Sequence, residues 1–295
     1  MGDNFIAVGT SSNTVRLLRL SGLQFEALVM PGPIVSISVT DHLLAIVCHL
    51  SNPVNDKQIL GLRVFNVEKM ILEYDGYLPS GEKNCELRWI GFNDFQMVIT
   101  LDANLKVYCL STAKGNQWIP MANIGKQLEN KETFYPIGCY QDKLVGVTCP
   151  KKTYPLVTPK PLTTTLALKA SIVNILVSDN PQFDQKIKEE IGEMAVDIAT
   201  NKIFLNETNF LLNSASYNGD MNLEGKAREL RAAIDKSAYS IFYYLNESQP
   251  LLGYDVATQI NTPKAMQLCI DCAKENDSGK LAKKLETLYK SKFGN

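Results

Sequence analysis

Short apolar runs alternate with polar positions from Phe5 to about residue 178, and Gly, Pro, Asn and Asp separate the runs. This is the period-two pattern of half-buried strands joined by turns. The runs recur in a set order, at 34–39, 43–48, 61–67 and 71–74, and again at 87–92, 96–101, 105–110 and 117–120. Val15, Leu62 and Leu105 stand at matching points of the third strand of successive sets, offset by 47 and then 43 residues. A repeat of about 40 to 45 residues with four strands in each is the signature of propeller blades. A further set opens at 134–139 and 143–149, and a proline-rich piece at 154–161 leads into a last run at 163–168. The count is three and a half to four blades, the first beginning at its second strand, residues 5–10. Six blades at about 40 residues each would need more than this stretch. Either the ring is shorter than usual or its N-terminal blades precede Met1.

Beyond Ser178 the apolar period changes to that of a helix. Asn180-Pro181 reads as a cap followed by proline at the first helical position, and Phe183, Ile187, Ile191, Met194 and Ile198 then form one stripe. A polar loop at 213–222 separates this helix from a longer one with Leu223, Ala227, Leu230, Ile234, Ile241 and Leu245 on its apolar face. Pro250 starts a short third helix, Thr262-Pro263 caps a fourth, and Ser278-Gly279 opens a fifth. The predicted fold is a partial β-propeller of about four blades over residues 1–178, followed by an α-helical bundle of about five helices over 179–295.

Composition narrows the function classes. The 295 residues carry 30 Lys and Arg against 31 Asp and Glu, and 45% are apolar, so the chain can bury real cores and is not a disordered tail. By position, residues 1–178 hold 16 basic and 14 acidic residues and 179–295 hold 14 and 17, so neither part is a nucleic-acid binder by overall charge. No apolar run reaches the roughly 18 residues of a membrane span. Residues 1–9 lack the basic-then-apolar layout of a signal peptide, so the chain reads as soluble and not secreted. Seven cysteines, an odd number set mostly in apolar stretches, suit reduced thiols rather than a disulfide framework. On that reading the sequons at Asn206 and Asn246 are chance matches.

Catalytic chemistry is hard to find. His42 and His49 are spaced seven apart in a strand context and do not make a facing metal pair. No phosphate-binding glycine loop, HExxH or GxSxG occurs. Cys269-Ile270-Asp271-Cys272 is a lone CxxC inside an amphipathic helix, with neither a second pair for zinc nor a preceding strand for a redox site. The expectation is a non-enzymatic protein with no cofactor and no metal. Two surfaces are more informative. Tyr239, Phe242 and Tyr243 at i, i+3, i+4 give the long helix a second apolar face, and Ala265, Cys269 and Cys272 give the fourth helix a small-residue face. Together these six residues either pack against one another or form a groove for a partner's amphipathic helix. Lys280, Lys283 and Lys284 lie on the last helix, either as a solvated face or as a DNA contact.

Several stretches, in order, resemble one family. These are Ala7-Val8-Gly9-Thr10-Ser11, Leu17-Leu18-Arg19-Leu20, Pro31-Gly32-Pro33-Ile34-Val35-Ser36, Trp89-Ile90-Gly91-Phe92, Gly115-Asn116-Gln117-Trp118-Ile119-Pro120, Val147-Thr148-Cys149-Pro150, the 155–161 segment and the 280–288 helix. The chain resembles the second, SepB-type propeller and the following helical bundle of replisome hub proteins of the chromosome-transmission-fidelity type. Animal members of that family are called WD-repeat and HMG-box DNA-binding proteins. The resemblance implies a nuclear adaptor in DNA replication and sister-chromatid cohesion, assembled as a homotrimer through the propeller. It also implies that the bundles capture peptides from the GINS complex and DNA polymerase alpha, with DNA or chromatin as a further partner and no membrane. A vesicle-coat or trafficking scaffold is the alternative, since such proteins also join propellers to helices. A propeller hydrolase or lectin would need acidic or histidine residues converging in a channel.

Overall fold

The computed structural model describes residues 4–54, 57–79, 86–129, 132–150, 154–156, 158, 160–170, 183–214 and 219–294. They form two compact units, Met1–Leu168 and Lys169–Asn295. The expected boundary at residue 178, the Asn180-Pro181 cap and Cys85 lie outside the described residues.

Among the described residues the first unit holds four antiparallel sheets in chain order. The first is three-stranded, β1 (Phe5–Gly9), β2 (Thr14–Arg19) and β3 (Gln24–Val29). The second is a four-stranded meander of β4 (Ile34–Thr40), β5 (Leu43–Val54), β6 (Lys57–Asn66) and β7 (Ile71–Tyr77). The third repeats it with β8 (Leu87–Phe92), β9 (Val98–Asp102), β10 (Lys106–Ser111) and β11 (Gln117–Asn123), and the fourth has β12 (Glu132–Tyr140), β13 (Lys143–Pro150) and β14 (Thr164–Ala167). Each meander is a propeller-like blade, as the repeat predicts. The first strands β4, β8 and β12 are neighbours in succession, as inner strands of adjacent blades are. Leu105, one end of the repeat comparison, falls in the turn before β10 with φ 62°.

The apolar run at 43–48 has a direct physical reason. Leu44, Ile46 and Cys48 pack with Phe5, Val15 and Leu17 of the first blade. Ala45 and Val47, pointing the other way, pack with Ile90, Val98 and Leu110 of the third. A strand covered on both faces has no polar side to show, so alternation gives way to an unbroken apolar run. β9 is likewise buried along its whole length.

Turns tie the blades together at one rim. Asp41 opens the two-residue link between β4 and β5 at φ 41°, a left-handed backbone that aspartate tolerates better than most residues. Its Oδ2 accepts a 3.2 Å hydrogen bond from Gln96 Nε2 of the third blade. Asn93 Nδ2 donates in turn to the Gln141 carbonyl of the fourth, at 3.5 Å. At the outer strands, Trp118 Nε1 on β11 is shared between the Tyr74 hydroxyl and the Tyr77 carbonyl of β7, each at 3.1 Å. The Trp118 and Tyr74 rings meet edge to face, 6.3 Å apart.

Among the described residues the second unit holds five helices: α1 (Gln185–Leu212), α2 (Met221–Leu245), α3 (Pro250–Ala257), α4 (Pro263–Glu275) and α5 (Gly279–Phe293). Asp184 caps α1, its carboxylate accepting from Ile187 N at 2.8 Å. Asp220 caps α2 in the same way, and the expected Thr262 caps α4. α1 and α2 form the long hairpin of the bundle, and α3, α4 and α5 close its core around Ile234, Ile241, Phe242, Met266, Cys269, Ile270 and Leu285.

Candidate functional site

The two predicted faces of the bundle meet. α2 and α4 lie side by side and run the same way: Asp235 faces Asn261 and Thr262 at the start of α4, and Asn246 reaches Cys272 and Asn276 near its end. Between those anchors the α2 face carries Tyr239 and Tyr243, and the α4 face carries Ala265, Cys269 and Cys272. The side chains do not share one fate. Phe242, Cys269 and Cys272 are buried in the bundle core, where their faces fill space against neighbouring helices. Tyr239 and Ala265 are half-buried against that core, and Tyr243 stands 61% exposed. The part of this face that a partner can reach is therefore Tyr243 with the open edges of Tyr239 and Ala265. Leu268, one turn beyond Ala265 on α4, is 45% exposed and extends the strip. The i, i+3 spacing from Ala265 carries that signal in the sequence.

Burial also sets the chemistry here. It pushes the Cys269 thiol up to about 12, with the neighbouring Cys272 and Asp235 adding to the shift. It raises Cys272 and the Tyr239 phenol as well. Thiols held protonated are poor nucleophiles and poor metal ligands. Asn246 Nδ2 lies 3.2 Å from Cys272 Sγ, an α2–α4 contact rather than a redox pair.

The position of the α4 face relative to α2 rests on one carboxylate. Asp235 is 5% exposed, and its oxygens accept from Asn261 N at 2.5 Å, Asn261 Nδ2 at 3.1 Å and Thr262 Oγ1 at 2.6 Å. Thr262 is itself the cap of α4, so a side chain of α2 holds the entry to α4 in place. A lone aspartate amid an apolar stripe gives no such hint in the sequence, because its partners lie 26 and 27 residues away.

Lys280, Lys283 and Lys284 are exposed on α5, with Lys284 Nζ 5.9 Å from the centre of the Tyr254 ring on α3. Among the described residues no group of three or more His, Cys, Asp or Glu is placed to hold a metal ion. None of the described helices is long and apolar enough to cross a membrane. In the first unit a cavity of about 150 Å³ opens between the second and third blades, lined by Leu60, Tyr77, Leu87, Asp102 and Tyr108 among others. That is well below the roughly 300 Å³ at which small-molecule sites begin.

Propeller-like blades followed in the chain by a helical bundle define the architectural class of the protein. Residues 1–172, more than half of the chain, match the family described as minichromosome loss protein, Mcl1, middle region, and the chain belongs to that family. It is 27% identical over 217 residues to WD repeat and HMG-box DNA-binding protein 1 of Homo sapiens, covering 72% of this chain and 18% of the human protein. It is 31% identical over 178 residues to Protein ENHANCER OF LHP1 1 of Arabidopsis thaliana, covering 59% of this chain and 18% of that protein. The chain thus spans about a fifth of the length of the curated relatives it matches. Among solved structures, HIRA(644-1017) aligns over 96% of this chain and 78% of that one, at 12% identity and a TM-score of 0.42.

Proposed function

We propose that the protein is a non-enzymatic adaptor of the replication fork in the nucleus. It links the GINS complex and DNA polymerase alpha in DNA replication and chromosome cohesion. The blades provide homotrimeric assembly, and each bundle captures a short helical peptide along the α2/α4 face. Membership of the minichromosome loss family supports the chromosomal setting. The observation that carries the peptide reading is Tyr243, a large aromatic 61% exposed one turn beyond the half-buried Tyr239 that neighbours Cys269 and Cys272 of α4. An aromatic next to small residues offers an amphipathic helix a ridge and a shallow trough at once, and such anchors dominate interface energies.

Co-precipitation from replicating cells tests the reading. The tagged protein retains GINS and DNA polymerase alpha, and Ala265→Glu, which places a charge in the trough at the half-buried edge of the core, releases both while the unfolding midpoint stays unchanged. Retention of both partners by Ala265→Glu would sink the assignment of this face.

A further inference from the structure

One position in the bundle breaks the pattern of its own helix. Ile191, Met194, Ile198, Leu205 and Leu212 of α1 turn toward the bundle core, and Lys202 falls in the same stripe, one turn after Ile198 and one turn before Leu205. Lys202 is half-buried there. Its helical neighbours three and four residues away are Ile198, Ala199, Leu205 and Asn206, so no carboxylate flanks it on α1. Among the described residues no hydrogen bond or ion pair meets its Nζ. The charge beside it has the same sign, since it belongs to Lys292 of α5. Lys292 is itself engaged: its Nζ donates to the carbonyls of Thr258 at 2.8 Å and Ile260 at 2.6 Å, in the link between α3 and α4. The acids of this region serve other partners. Asp235 of α2 holds Asn261 and Thr262, and Asp197 of α1 pairs with Lys169 at 3.3 Å.

An amine placed in an apolar stripe, with no acceptor and a second cation at its side, favours its neutral form. Burial penalises the ammonium first and Lys292 repels it second, and together they hold Lys202 below the ordinary lysine range. The neutral amine is a nucleophile and the ammonium is not. We infer that Lys202 is a modification site, a lysine that takes an acyl group from an acyl thioester of coenzyme A. The Nζ lone pair attacks the thioester carbonyl, and a C–N bond forms as the C–S bond breaks. The amine proton passes to the departing sulfur, so coenzyme A leaves as the thiol. The product is a neutral amide. It takes an unpaired cation out of the apolar stripe and ends the repulsion on Lys292, so the hold of Lys292 on the α3–α4 link tightens.

The test incubates the whole chain with acetyl-coenzyme A at pH 8 and follows acetylation at each lysine by tandem mass spectrometry. Lys280 and Lys283, exposed on α5, are the internal standards. Lys202 is acetylated at least about fivefold faster than either, and the lead disappears in denaturing urea because the fold creates it. Lys292→Gln keeps an amide donor for the two carbonyls but removes the charge, so it slows Lys202 by about threefold while Lys280 and Lys283 are unaffected. Lys202→Gln, a stand-in for the neutral amide, raises the urea midpoint. Acetylation of Lys202 no faster than the standards in the folded wild type would overturn the proposal, and this arm needs no variant to fold. A lead that persists in urea, or an unchanged rate in Lys292→Gln, would overturn it too. So would a lower midpoint for Lys202→Gln, which would mean that the bundle uses the ammonium.

Discussion

At the scale of single residues, the bundle depends most on Asp235. Its carboxylate is the acceptor for three donors at the start of α4, and truncation removes that acceptor from the half-buried Asn261 amide and Thr262 hydroxyl, while Asn261 Nδ2 keeps the Gln259 carbonyl. Asp235→Ala should lower stability by about 3 kcal/mol, and Asp235→Asn by less because one amide oxygen still accepts. Urea midpoints at constant slope measure both. Cys139 and Cys269 give a pH prediction. Burial holds each at about 12 against an ordinary 9.0, so the folded chain keeps protons that the unfolded chain releases between those values. Stability contributed by the buried neutral thiols is therefore intact below pH 9 and falls as pH rises from 9 toward 12. At pH 8 an alkylating reagent leaves the fully buried Cys269 unmodified in the native protein, as mass spectrometry of labelled peptides will report. The burial of Cys269 was legible from the apolar stripe it shares with Met266 and Ile270. Asp235 was not, because a carboxylate's role is set by what it faces across space.

At the scale of elements, β5 is the strand on which neighbouring blades depend. Ile46 faces the first blade and Val47 the third, both fully buried. Ile46→Ala should cost about 2 to 5 kcal/mol, and a similar loss at Val47 should loosen a different pair of blades. Hydrogen exchange separates the two: Ile46→Ala speeds exchange in β1 and β2, and Val47→Ala in β8 to β10. Periodicity shows the blades well because a four-stranded meander repeats its burial pattern every 40 to 45 residues. It shows the helices because cap and proline signals mark Thr262-Pro263 and Pro250. The proposed peptide face is only half visible in this way. Tyr239, Phe242 and Tyr243 look alike on a helical wheel, yet Phe242 is fully buried and Tyr243 is exposed, since the bundle core covers only the first of these two.

At the scale of the whole molecule, the near balance of 30 basic and 31 acidic residues suits a protein that recognises other proteins through local faces better than one that holds DNA by its overall field. On the proposed account three chains assemble, and each brings one peptide-binding bundle. Linked sites turn weak single contacts into firm retention through high effective concentration. Sedimentation equilibrium then returns three times the 32.8 kDa chain mass. The most direct test of the central claim is the affinity of the 295-residue chain for purified GINS complex, measured by biolayer interferometry with the wild type and with Tyr243→Glu. The account predicts saturable binding that Tyr243→Glu weakens by at least about tenfold while the unfolding midpoint stays unchanged. Equal affinity of the two proteins, or no binding by the wild type, would contradict it.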